Sequence, residues 1–199
     1  MKKFLVVPVL ALSLFFTGCS TAWVSTLDSI LAAAAPALIN ILQIVAISEG
    51  KPFNATLAAK VNADAASLKS LASDFANASS AAAPAVCSQL SAAIGVYSQD
   101  EAQVLAVAQV SDPATQSKIA VLSGLVAGTV QAVIAVIPSC QASGKFAAEP
   151  PLNVKHFVES YNSTLVAKTG NAAVDAATKN MKLHQHGKFA RYASFGLLK

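Results

Sequence analysis

The sequence predicts an all-α fold, an antiparallel up-down bundle of about four long helices with smaller helices after it. Three observations predict it. Alanine, the strongest helix former, supplies 41 of 199 residues. Alternating β-branched or aromatic runs joined by Asn-Gly or Asp-Gly turns are nearly absent. Apolar residues instead recur every three or four positions, one face of a helix, between clear breaks.

The first stripe runs through Trp23, Leu27, Ile30, Ala34, Leu38, Ile41 and Val45, with Pro36 expected to kink or restart the helix near Ala35. Ser48-Glu49-Gly50-Lys51-Pro52 breaks the chain, and Asn54 caps a second helix. Its stripe is Leu57, Val61, Ala65, Leu68, Ala72 and Phe75, with Lys60, Asp64, Lys69 and Asp74 on the other face. Residues 77–83 are a Ser- and Ala-rich linker. Pro84 opens a third helix toward Val110, and Gly95 with Ser98-Gln99-Asp100-Glu101 suggests a break inside it. Ser111-Asp112-Pro113 pairs a capping residue with proline at the first helical position. The fourth stripe is 119, 122, 126, 130, 133 and 137, ended by Pro138. After a linker over 140–153, Asn153 caps a fifth helix carrying Val154, Phe157, Tyr161 and Leu165 and ending near Lys168 and Gly170.

The amino terminus has another character. Lys2 and Lys3 precede 13 uncharged residues, Phe4 to Phe16, a run of roughly 20 Å as a helix and too short for a ~30 Å hydrocarbon core. It ends in Phe16-Thr17-Gly18-Cys19, which resembles the lipobox of bacterial lipoproteins, with Phe16 where that class usually has leucine. The resemblance covers about the first twenty residues. It implies lipidation of Cys19, removal of 1–18 and a tether over 19–22. Ser20 after the cysteine implies release to the outer membrane, facing the periplasm. An ordinary secretory signal cut after Ala22, giving a soluble secreted protein, is the alternative. The expected domains are then a bundle over 23–170 and a basic, partly helical tail over 171–199.

Charged residues are 12% of the chain, against about 25% in typical globular domains, and hydrophobic residues are 54%. Residues 19–178 carry seven basic and ten acidic groups, a net of −3, whereas 179–199 carry five basic groups and no acid. The basic balance therefore belongs to the tail, and a nucleic-acid role, which needs a basic face on the fold, is excluded. In the tail, Phe189, Tyr192, Phe195 and Leu198 are spaced by threes among Lys182, Lys188, Arg191 and Lys199. That pattern fits a short helix on an anionic membrane surface, and equally a terminal helix docked on the bundle or a disordered tail.

Cys87 and Cys140 each lie about 26 residues from the Ser111–Pro113 turn, roughly 40 Å along a helix, so an antiparallel hairpin brings them to the same height. In an exported chain this spacing predicts a disulfide, with buried free thiols as the alternative. Segments 30–47 and 119–137 are uncharged and long enough to be marginal membrane spans, the second with Gly124-x-x-x-Gly128. Their alanines, Asn40, Gln43, Ser123, Thr129 and Gln131 favour helices buried in a water-soluble bundle. No hydrolase elbow, metalloprotease, phosphate-loop or haem motif occurs, so neither catalysis nor a cofactor is expected. His156 with Glu159, and His184 with His186, are the nearest approaches to metal-ligand spacing, and surface placement accounts for both. Tyr97, Asp100 and Glu101 are the polar group that interrupts an apolar helix and could line a ligand site. The expectation is an exported, lipid-anchored envelope protein with a binding or structural role, its partners the membrane and possibly envelope proteins. A hydrophobic-ligand module and a membrane-inserting protein are the alternatives.

Overall fold

A computed structural model describes residues 18–79, 81–135 and 153–184, with side chains from Val24 onward. The described residues form α1 (Gly18–Glu49), α2 (Ala55–Asn77), α3 (Ala83–Val107), α4 (Pro113–Ile134), α5 (Val154–Val166) and α6 (Ala172–Ala177), then a 3₁₀ turn, Thr178–Asn180. No strand occurs among them. Four long helices with smaller C-terminal ones is the predicted composition.

The caps explain where the helices start. Asn54 Oδ1 accepts from the Leu57 amide at 3.0 Å, Asp112 Oδ2 from Thr115 at 2.7 Å and Asn153 Oδ1 from His156 at 3.0 Å. Each side chain satisfies an amide that has no partner within the helix. Gly50 (φ 60°) and Gly170 (φ 87°) take the left-handed backbone that follows α1 and α5.

α1 lies at the centre of the described residues and packs against each of the other described helices. Its burial is broader than a stripe: Ala33, Ala34, Ala35, Ala37, Leu38, Ile41, Leu42 and Ile44 are all buried. Alanines on several sides let neighbouring backbones approach, which is how one helix can touch all the others. Pro36 does not divide it, because α1 continues from Gly18 to Glu49 with the proline inside. Proline removes one backbone bond and strains the turn before it. The packing around α1 outweighs that cost. The adjoining turn gains a tertiary bond where the buried Tyr161 hydroxyl donates to the Ala37 carbonyl at 2.9 Å.

α2 buries the six stripe residues expected of it, together with Ala58. α3 is likewise unbroken across Gly95 and Ser98, and its core positions run 83, 87, 90, 94, 97, 101, 104 and 108. That three-four spacing has no room for a break. α4 buries Ile119, Leu122, Val126, Val130 and Val133 but leaves Ala120, Val121, Gly124, Gly128 and Gln131 exposed. It is a flanking helix rather than a central one. The packing continues beyond Gly170: Val174 and Leu183 are buried, Asn40 donates to the Met181 carbonyl at 2.6 Å, and Asn162 exchanges two hydrogen bonds with Leu183.

Candidate functional site

The polar group read from α3 is in the interior. Tyr97 is 2% exposed, Asp100 0% and Glu101 5%. Glu101 occupies the core stripe of α3 itself. Asp100 is turned toward α2, where the Lys60 ammonium donates to its Oδ1 and, at 3.0 Å, to Asp64 Oδ2. Lys60 and Asp64 are one helical turn apart on α2, so a single lysine joins a carboxyl of its own helix to one on the neighbour.

Burial and the neighbouring Asp64 push the Asp100 carboxyl up, while hydrogen bonding from Asp100 and Lys60 holds Asp64 below the ordinary carboxylate range. Desolvation raises Glu101 as well. Hydrogen bonds to Asp100 and Asp64 push the Lys60 ammonium up. The Tyr97 hydroxyl and Asp100 Oδ2 have no hydrogen-bond partner.

Lys60 also lines a groove of about 390 Å³ between the start of α2 and the end of α3, with Asn54, Thr56, Leu57, Gln103, Ala106 and Val107. The interior cavity at Tyr97, where α1 to α4 meet beside Leu27, Ile94 and Val130, measures only about 10 Å³. That is the space of roughly one water. Tyr97 thus belongs to the close-packed centre, whereas the groove over Lys60 opens at the surface.

A second buried charge is on α4. Lys118, 6% exposed, donates to the Leu165 carbonyl at 3.0 Å and lies 3.9 Å from Asp175. Its cation meets the carbonyl end of α5, the favourable end for positive charge, although desolvation lowers its pKa. Asp175 in turn accepts from the Thr169 amide and hydroxyl and from the Gly170 amide, fixing the loop after α5. This pair reads as structural.

The other sequence-derived positions are scattered. Cys19 falls in the first turn of α1, and its side chain is outside the described residues. Cys87 is fully buried on α3 and is not a free thiol. Cys140 lies outside the described residues, as do Lys188, Phe189, Arg191, Tyr192, Phe195 and Lys199. Lys182, His156, Glu159 and His184 are exposed. Among the described residues no group of three or more His, Cys, Asp or Glu is placed to hold a metal. In the sequence, Lys60 and Asp64 mark only an outer face of α2. Their one signal was the i,i+4 pairing, and nothing local pointed it at Asp100, 40 residues on.

No family model, curated protein or solved structure matches this chain.

Proposed function

We propose that this is an exported protein of the bacterial envelope, anchored through lipidated Cys19 and acting by binding or scaffolding rather than by catalysis. The observation that supports the non-catalytic reading is the close packing beside Tyr97, where the long helices leave about 10 Å³, too little for a ligand larger than a water. The anchor rests on the sequence at Phe16-Thr17-Gly18-Cys19 and is compatible with α1 starting at Gly18. The membrane so reached is the outer membrane, with the domain facing the periplasm.

The four long helices run up, down, up and down in this proposal. Glu49, at the end of α1, accepts from the Ser111 amide at 2.6 Å and from its hydroxyl at 3.2 Å. That ties the end of α1 to the α3–α4 turn, and the α1–α2 turn lies beside Glu49 in the chain. Cys87 pairs with Cys140, and the basic tail around Lys182 and beyond meets anionic lipid. Intact mass of the purified protein tests the anchor: the expected species begins at a fatty-acylated Cys19, and an unmodified chain beginning at Trp23 overturns it.

One observation favours the membrane-inserting alternative. The apolar window of α4 is only 39% buried, against 61% for that of α1, and both helices are long and apolar enough to cross a bilayer. Fragment 20–199 separates the readings. A monodisperse helical protein without detergent supports the bundle, and extraction only by detergent supports insertion.

A further inference from the structure

We propose that α3 is seated in the bundle through a pH-responsive contact, held most firmly in mildly acidic surroundings and loosened as the pH rises through neutrality. This contact depends neither on the anchor nor on a partner. Asp100 and Glu101 are neighbours in α3, 0% and 5% exposed. One cation, Lys60 of α2, serves Asp100, and it is shared with Asp64. Glu101 has no hydrogen-bond or ion-pair partner among the described residues, and desolvation alone acts on it. A carboxyl so placed is accommodated more easily without its charge. The other charges on the helices packed against α3 are committed elsewhere. On α2, Lys69 pairs with Asp28 of α1 at 2.6 Å, and Asp74 is exposed. Glu49 of α1 accepts from Ser111, with Lys51 3.8 Å away. Lys118 of α4 donates to the Leu165 carbonyl beside Asp175. On α3 itself the Tyr97 hydroxyl is pushed up, by burial first and then by Glu101 and Asp100, and stays neutral.

The signs of the three carboxyls fix the direction of the response. Burial raises Asp100 and Glu101, so each favours the folded state fully below its unfolded value, about 4, and loses that contribution as the pH climbs through its folded value. Asp64 runs the other way: its lowered pKa gives a contribution present above about pH 4 and lost only in stronger acid. From about pH 5 upward the slope therefore belongs to Asp100 and Glu101. With both ionised, α3 carries two adjacent buried carboxylates and Lys60 answers one of them. Loosening of α3 uncovers Leu90, Ile94 and Val104, apolar residues of its stripe that are otherwise buried. Rising pH thus presents apolar surface that acid keeps covered.

Hydrogen–deuterium exchange of the whole mature protein in mild detergent, at about pH 5.5 and about pH 8 and corrected for the intrinsic pH dependence of exchange, tests this. Amides of α3 are expected to exchange about tenfold faster at the higher pH, the equivalent of one pKa unit, while those of α5 keep their protection. Asp100→Asn combined with Glu101→Gln is expected to abolish the difference, and Glu101→Gln alone to reduce it. Asp74→Asn, at an exposed acid of α2, is expected to leave it intact. Exchange in α3 that is indifferent to pH overturns the proposal, and so does a difference that survives the double variant. Equal loosening of α5 also overturns it, because the whole bundle then responds. A double variant that lacks the helical circular-dichroism spectrum of the parent overturns it as well, since ionised carboxyls would then be holding α3 in place.

Discussion

Glu101 illustrates what a single residue can hide. Read locally, Ser98-Gln99-Asp100-Glu101 has the form of a cap, and a carboxyl belongs on the surface. The three-four spacing of 94, 97, 101 and 104 instead puts Glu101 into the core. Desolvation raises its pKa, so its folded value lies above its unfolded one. The unfolded chain then releases this proton first as pH rises from about 4, and stability falls until the folded carboxyl also ionises. Glu101→Gln is therefore expected to raise Tm at pH 7 and to leave it nearly unchanged below about pH 4, as thermal melts at both pH values will report. Tyr97 gives a second expectation. Its buried hydroxyl is unpartnered, so Tyr97→Phe should leave stability unchanged or increase it by about 1 kcal/mol in urea unfolding. A loss of 2 kcal/mol or more would mean that the hydroxyl has a partner. The caps were legible at this scale because Asn54, Asp112 and Asn153 act on amides only three residues away. The Lys60–Asp100 contact was not, because it depends on how α2 sits on α3.

Among elements, the helical stripes were legible and the interruptions were not. Pro36 and Gly95 are strong local breakers, yet α1 and α3 run through both. The energy of a break is local and costs a few kcal/mol, whereas the burial of a long stripe grows with every turn. Because Pro36 remains inside a helix, Pro36→Ala restores a backbone donor, and Tm is expected to rise, by about 1–3 kcal/mol of added stability. Ala37, wholly buried on α1, is the opposite case. Ala37→Leu should cost about 1–3 kcal/mol in chemical denaturation, since no space exists for the added carbons. The placing of α4 was beyond the stripe analysis too. Its outer face carries no charge at all, so composition could not say which of two apolar helices is central.

For the whole molecule, the all-α class and the number of long helices follow from alanine content and spacing, while the candidate site required the assembled fold. The predicted Cys87–Cys140 bridge belongs to this scale, since it would close a hairpin of two long helices. Thiol titration of the unfolded, unreduced protein should find neither cysteine reactive, and two reactive thiols would exclude the bridge. On a chain-entropy account such a closure adds about 4 kcal/mol, so reduction should lower Tm markedly.

The unbroken course of α1 also has a mechanical consequence. Its 32 residues make a rod of about 48 Å, beginning one residue before Cys19. With helix in place of the tether expected over 19–22, an acyl group there would fasten the rod near its tip, and height above the bilayer and compass bearing would be set together. One alanine inserted after Ala22 would swing everything beyond it by about 100° while lifting it only about 1.5 Å. Capture of a partner embedded in the same bilayer would then fail through misdirection alone, although a dissolved copy of that partner would still be held as tightly as before.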